Sequence, residues 1–435
     1  MNTVIESTVQ KPASPLSVRN FRLLWIGEGI SLLGDQFYMI ALPWLVLQLT
    51  GSALALGTVM ALAAIPRALF MLVGGALVDR FSPRAVMMVS NFLRLVLVAL
   101  LSALVLTNNI RTEILYIFAL AFGLADAFYF PAQTAIVPQL LAEDQLQAGN
   151  TFVQGTAQLS MLAGPVLAGG LIALLGHSAS TAGTPGTQGI GIAFGIDTLS
   201  FVASLLCLGL MRIPAASKTA SEHQNVITSI KEGFGYFWSR SVLRVFFLLM
   251  VAMNFLILGP VIVGIPVLAA TRLAEGAAAF GIIMSAFGGG ALLGIILSNV
   301  LPHLKPERLG AMLLLIISFM GIGLALMPLS TSTAVIAAIM LLIGISNGYV
   351  NINFLTWLQK RIPQELMGRV MSLLMFSSVG LAPISNAIAG AILQINLNVL
   401  FIGGGLLMAA VSLLAIALPT VRQMGSEPVA VNQAA

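Results

Sequence analysis

Leu56-Gly57-Thr58-Val59-Met60-Ala61 returns later in the chain as Phe280-Gly281-Ile282-Ile283-Met284-Ser285. Around this pair, Pro43, Gly74 and Leu146 return as Pro266, Gly294 and Leu366. The offset stays near ~220 residues, about half of the 435-residue chain. Repetition at half length in an apolar chain is the mark of a membrane transporter architecture built from two parallel halves. Composition agrees: 58% of residues are apolar and only 8% are charged, more hydrophobic surface than a soluble fold of this size can hide.

Apolar runs of roughly 20 residues recur, each long enough to cross a ~30 Å hydrocarbon core. They predict an all-α integral membrane fold of twelve transmembrane helices, near 21–48, 53–78, 85–106, 113–136, 147–175, 190–211, 241–270, 277–300, 309–328, 332–357, 366–393 and 397–419. The expected organisation is an N-terminal tail (1–20), a six-helix half (21–211), a polar linker (212–240), a second six-helix half (241–419) and a C-terminal tail (420–435). A Ser-, Thr- and Gly-rich stretch at 177–190 reads as an outer loop.

Basic residues orient the chain. With both termini cytoplasmic, 16 of the 20 Lys and Arg fall on the cytoplasmic side; Arg111 and Arg272 fall outside, and Arg67 and Arg94 within helices. That asymmetry obeys the positive-inside rule. The pI near 9.7 therefore reports topology, and nucleic acid is not an expected partner. Residues 1–20 are polar and the first apolar run is too long for a signal h-region, so helix 1 is expected to act as its own insertion signal. Cys207 is the only cysteine, which excludes an internal disulfide.

The sharpest local signal is Gly74-Gly75-Ala76-Leu77-Val78-Asp79-Arg80-Phe81-Ser82-Pro83-Arg84, between helices 2 and 3. It resembles the signature loop of the major facilitator superfamily, Gly-x-Leu-Ala-Asp-Arg-x-Gly-Arg-Lys, in Gly75, Leu77, Asp79, Arg80 and Arg84. Ser82 and Pro83 replace the usual Gly and Arg. The resemblance implies the major facilitator fold, two six-helix halves related by a pseudo-two-fold axis. It also implies a cytoplasmic gate in which Asp79 contacts the start of helix 11 and Arg80 and Arg84 join a charge network. A carboxylate facing a helix N-terminus suits that role. The weaker echo at Gly294 to Arg308 has Asn299 opposite Asp79 and lacks the acid.

In helix 5, Gly164-Pro165-Val166-Leu167-Ala168-Gly169 is similar to the end of the motif associated with exporters of this superfamily, with Ala168 departing from it. Small residues beside a proline let helices bend and approach closely, so a plain packing kink is the alternative. Gly123-Leu-Ala-Asp126-Ala-Phe-Tyr-Phe-Pro131, Val137-Pro138-Gln139-Leu140 and Gly34-Asp35-Gln36 resemble the drug:proton antiporter branch of macrolide-efflux and enterobactin-exporter proteins. The helix-4 arginine of many drug:proton antiporters is not evident.

Four acids fall inside apolar spans: Glu28, Asp35, Asp126 and Asp197. A charge at mid-bilayer costs ~2.5–3.5 kcal/mol on insertion scales, so each needs a reason. Asp35 and Asp126 fall near the midplane, and Glu28 shares a helix face with Asp35. These three are the proton-coupling candidates, since a carboxylate in a low-dielectric cavity can change protonation with the side to which it opens. Asp197, in helix 6, is expected to be structural. Arg67 is expected to neutralise Asp35 or Glu28, and Arg94 to neutralise Asp126 or Asp197, as fixed ion pairs or as coupling groups.

Polar and aromatic stripes accompany the acids: Tyr38 on helix 1; Tyr129, Phe130 and Gln133 on helix 4; Gln154, Gln158 and Met161 on helix 5; Asn254 on helix 7; and Asn347, Asn351 and Phe354 on helix 10. Such stripes are not written for lipid, and in this fold helices 1, 4, 7 and 10 line the cavity. The Asn and Gln residues can equally serve as interhelical hydrogen bonds. The expected function is secondary active efflux of amphipathic, macrolide- or drug-like molecules from the bacterial inner membrane. A monomer, coupled to the proton gradient without a cofactor, would do so by alternating access. Export of one metabolite such as a siderophore is the alternative, followed by a facilitator, importer or receptor. There is no phosphate-binding loop for ATP, no metal-ligand cluster among three His and one Cys, and no sign of an enzyme.

Overall fold

The computed structural model describes residues 14–178, 187–212, 235, 238, 241–301, 306–359, 361–362, 370–371, 374 and 376–418; the side chains of 71–80, 177–178, 241–242, 246, 306–307, 376 and 378 lie outside that description. The N-half holds α1 (Arg19–Thr50), α2 (Ala53–Arg80), α3 (Pro83–Leu106), α4 (Thr112–Leu140), α5 (Glu143–Ser178) and α6 (Gln188–Leu210). The C-half holds α7 (Leu243–Arg272), α8 (Ala277–Val300), α9 (Pro306–Leu326), α10 (Thr333–Gln359), α11 (Ala382–Ile395) and α12 (Val399–Ile416). Eleven of these, all but the shorter α11, are long and apolar enough to cross a membrane. The linker expected at 212–240 lies almost wholly outside the described residues, as does the 177–190 loop from 179 to 186.

Local chemistry sets the helix ends. α1 stops at Gly51, whose φ of 59° lets its N–H return to the Leu47 carbonyl, a left-handed cap that only glycine adopts freely. α3 starts where Ser82 accepts a hydrogen bond from the Ala85 N–H and Pro83 occupies the first turn. The two residues that depart from the signature-loop pattern thus form a helix start.

α7 carries two π-turns, Asn254–Leu258 and Pro260–Gly264, as expected where Pro260 removes a backbone donor. Of the eleventh helix, expected over 366–393, residues 366–369, 372–373 and 375 lie outside the described residues; a π-turn at Phe376–Gly380 precedes α11. Pro383 occupies the first turn of α11, where its missing N–H is not needed.

Within each half the packing repeats. α2 lies along α4 as α8 lies along α10, and α3 lies along α6 as α9 lies along α12. The halves meet where α5 lies on α8 and α2 on α11. A Cβ on Gly57 would sit 2.7 Å from the Gly390 Cα, and one on Gly281 would sit 3.1 Å from the Gly169 Cα and 2.2 Å from the Pro165 carbonyl oxygen. Gly57 and Gly281 are the repeated glycines of the two matching sequence stretches. Each occupies the point where its half touches the other, and each lies near the end of the bundle that carries the 51–52 and 273–276 connections. Ser285 adds a hydrogen bond across the same contact, accepting from the Val166 N–H at 2.9 Å.

Candidate functional site

Between the halves lies a cavity of about 350 Å³, within the usual range for small-molecule pockets. The N-half lines it with Asp35, Gln36, Tyr38 and Met39 of α1, Met60 and Arg67 of α2, Arg94 of α3, and Phe122 and Asp126 of α4. The C-half contributes Val261 and Ile262 of α7, Phe280 and Met284 of α8, and Ala382 and Asn386 of α11. Among the described residues all charge is therefore on one wall. Gln36 Oε1 and Asn386 Oδ1 are buried without a hydrogen-bond partner among the described residues.

Helix packing places the charges. A Cβ on Gly123 would fall 2.1 Å from the Ala63 carbonyl oxygen, so α2 and α4 nearly touch. One turn beyond this contact, Arg67 meets Asp126 in an ion pair. On the other side, Gly34 admits Ser200 and Asp197 against α1. Arg94 Nη2 reaches Asp35 at 2.7 Å and lies 3.7 Å from Asp126. The Arg94 guanidinium is enclosed by the rings of Phe201 (4.6 Å), Tyr129 (4.9 Å) and Phe122 (5.2 Å), a cation–π cage that replaces part of its lost hydration. Arg94 is buried, whereas the Arg67 side chain is 49% exposed and presents its free edge to the cavity.

The partners depart in part from the sequence expectation: Arg94 does reach Asp126, but Asp35 is its nearer partner. Arg67 pairs with Asp126, not with Asp35 or Glu28, and Arg94 pairs chiefly with Asp35. Asp126 is shared by both arginines. The reason is the α2–α4 contact at Gly123, which brings Arg67 to α4 and leaves α1 to Arg94.

Glu28 lies apart from the cavity lining. It is buried, and its carboxylate accepts hydrogen bonds from the Tyr129 hydroxyl and, at 2.6 Å, from Gln133 Nε2. Asp197 is fully buried; Ser200 donates to its Oδ1 at 3.3 Å, and its Oδ2 has no partner among the described residues.

Tyr38 lines the cavity and stacks on Phe122 with ring centres 4.3 Å apart. The other stripe residues do not line it. Tyr129 and Gln133 serve Glu28. Phe130, Gln154 and Asn351 are exposed. Gln158 and Met161 sit on α5, where the Met161 carbonyl faces Gly288 of α8. Asn254 bonds to the Met250 carbonyl, and Phe354 stacks on Trp357. Asn347 is half-buried on α10. Sequence reasoning missed Asn386, Gln36, Met39 and Met60; Asn386 carried the same signal as Asn254, an amide in an apolar run.

In the loop motif, the side chains of Gly75, Asp79 and Arg80 lie outside the described residues. Arg84 is described: its Nε and Nη2 donate to the Leu208 and Gly209 carbonyls at 2.7 and 2.9 Å. It thus caps the negative C-terminal end of α6. In the helix-5 motif, Gly164 admits the Gln36 side chain, while Pro165 and Gly169 meet Gly281.

Comparison with known proteins agrees with this architecture. The Major Facilitator Superfamily profile matches residues 24–385. The chain is 25% identical over 424 residues to the multidrug efflux pump Tap of Mycolicibacterium fortuitum, covering 94% of this chain and 97% of that one. It is 23% identical over 357 residues to macrolide efflux protein A of Streptococcus pyogenes (81% and 84% covered) and 25% identical over 380 residues to the enterobactin exporter EntS of Escherichia coli O139:H28 (81% and 80%). The structure of the nucleoside transporter NupG superposes with a TM-score of 0.66 at 13% identity, over 94% of this chain and 100% of that one. With its two packed halves, the cavity between them and this match over most of its length, the chain is a multi-pass membrane transporter and belongs to the major facilitator superfamily.

Proposed function

We propose that the protein exports amphipathic, cationic small molecules across the bacterial inner membrane in exchange for protons. The observation that carries this reading is the placement of two ion-paired acids, Asp35 and Asp126, on a cavity whose remaining wall is apolar and methionine-containing. An apolar wall with adaptable methionines accepts varied hydrophobic bodies, and an acid that can trade its arginine for a ligand cation gives a site for exchange. The efflux proteins among its relatives support the direction.

The basic residues put both termini in the cytoplasm, so the glycine contacts between the halves close the periplasmic side. Rocking of one half against the other, which parts those contacts and closes the cytoplasmic side, supplies alternating access. Asp79 and Arg80 are assigned the opposite, cytoplasmic gate. Asp35 and Asp126 are the coupling acids, and Glu28, held by Tyr129 and Gln133, is a reserve site. The transporter acts as a monomer with no cofactor beyond the proton gradient.

The half-exposed Arg67 favours a second reading, recognition of an anionic group as in a siderophore. Ethidium uptake into everted vesicles decides between them. Export of cations predicts protonophore-sensitive uptake that is lost in Asp35→Asn. No ethidium uptake, with transport of an acidic compound that fails in Arg67→Met, would establish the second reading.

A further inference from the structure

We infer that Asp197, on α6 behind the cavity, holds the proton that is exchanged, and that Arg94 and this proton change places during coupling. The inference rests on the proposed exchange of cations for protons. Its basis is a pair of buried, unsatisfied atoms near Asp35: among the described residues Arg94 Nε and Asp197 Oδ2 have no hydrogen-bond partner. Arg94 and Asp197 are 3% and 0% exposed. Such atoms are costly in a native interior and call for an explanation, and an arrangement in which Arg94 turns to Asp197 would satisfy both.

Charge balance points the same way. Arg67 is committed to Asp126, and Arg94 to Asp35 and Asp126. The charged groups facing Asp197 are Asp35 from α1 and Arg94 from α3, with the Tyr38 phenol of α1 as a further titratable neighbour. Among the described residues Asp197 makes no ion pair, and with Arg94 committed to Asp35 and Asp126 a second buried carboxylate charge beside Asp35 would be under-compensated. Asp197 therefore rests as a carboxylic acid.

Asp197 faces α1 at Gly34, the residue before Asp35: the Cβ position of Gly34 is 2.8 Å from Asp197 Oδ1. When a cation enters the cavity, Arg94 turns from Asp35 to Asp197. The O–H bond at Asp197 Oδ2 breaks, and its proton passes to Asp35 and on to cavity water. The cation then pairs with the Asp35 carboxylate. One positive charge enters the site and one proton leaves it, and the site's total charge is unchanged. Asp35 selects the cation, while Asp197 stores the proton out of contact with it.

Infrared difference spectroscopy on the purified wild type and Asp197→Asn tests the resting proton without any substrate. A carboxylic acid carbonyl band present in the wild type and absent from the variant is expected; its persistence in the variant would overturn the inference. Should Asp197→Asn fail to fold, Ser200→Ala is expected to shift that band without removing it, and an unmoved band counts against Asp197. Proton release on adding ethidium, followed with a pH indicator in weak buffer, tests the exchange. The wild type is expected to release protons on binding ethidium, and Asp197→Asn, which offers Arg94 no carboxylate to turn to, to bind ethidium more weakly and release none. Equal release by both proteins refutes the role of Asp197 and leaves the export reading standing. A wild type that binds ethidium without releasing protons refutes the exchange and the coupling together.

Discussion

Arg94 joins α1, α3, α4 and α6 through one side chain, its charge shared between Asp35 and Asp126 and its plane enclosed by three rings. Removing one partner of a buried ion pair costs about 3–5 kcal/mol because the other charge is stranded. Arg94→Met should therefore lower the thermal midpoint of the detergent-solubilised protein strongly. Arg94→Lys should lower it less, because it keeps the charge and loses the planar fit to Asp35 and the rings. Arg67→Met, at a half-exposed site, should be the mildest of the three; a midpoint loss equal to that of Arg94→Met would show that exposure does not grade these pairs. The sequence made these charges legible, since each stands alone in an apolar run. Their partners were not legible: periodicity gives a residue its depth and face, while the choice between Asp35 and Asp126 was made by Gly123 against Ala63 and Gly34 against Ser200, contacts about 60 and 165 residues apart in sequence.

The helices cross where side chains are missing. Gly281 leaves 2.2 Å between a would-be Cβ and the Pro165 carbonyl oxygen, and Gly57 leaves 2.7 Å to the Asn386 carbonyl oxygen. Overpacking such a contact costs roughly 1–3 kcal/mol, enough to shift an equilibrium between two arrangements of the halves by about 5–150-fold. Gly281→Ala should therefore cut ethidium export while leaving expression and folding intact. Normal export by this variant would mean that the α5–α8 contact does not close in the transport cycle.

Arg84 offers a contrast within one half. Arg84→Ala removes two hydrogen bonds to the end of α6, and a loss of about 1–3 kcal/mol in stability, read as a lower thermal midpoint, is expected. Eleven of the helices were legible as long apolar runs. The π-turns of α7 were not, because a proline inside an apolar run reads equally as a kink or a break.

The half-length repeat in the sequence is the pseudo-symmetry of the transporter. α2 and α8 hold equivalent places, and each presents its glycine to the other half. Chemistry breaks that symmetry: the cavity acids and arginines are all in the N-half, and the C-half supplies apolar surface and Asn386. This division predicts that Asn386→Ala changes which dyes are exported and leaves the proton dependence in place. The orientation can be checked in a Cys207→Ser background, where an impermeant thiol reagent should label Arg111→Cys but not Arg308→Cys in spheroplasts. The reverse pattern would invert the assignment of the two gates.

The most direct test of proton-driven exchange uses proteoliposomes, with ethidium outside and an acidic interior. The wild type should accumulate ethidium above its equilibrium level and lose it on addition of a protonophore, and Asp35→Asn should reach equilibrium without accumulation. Accumulation that is independent of the pH gradient, or unimpaired in Asp35→Asn, would contradict the account.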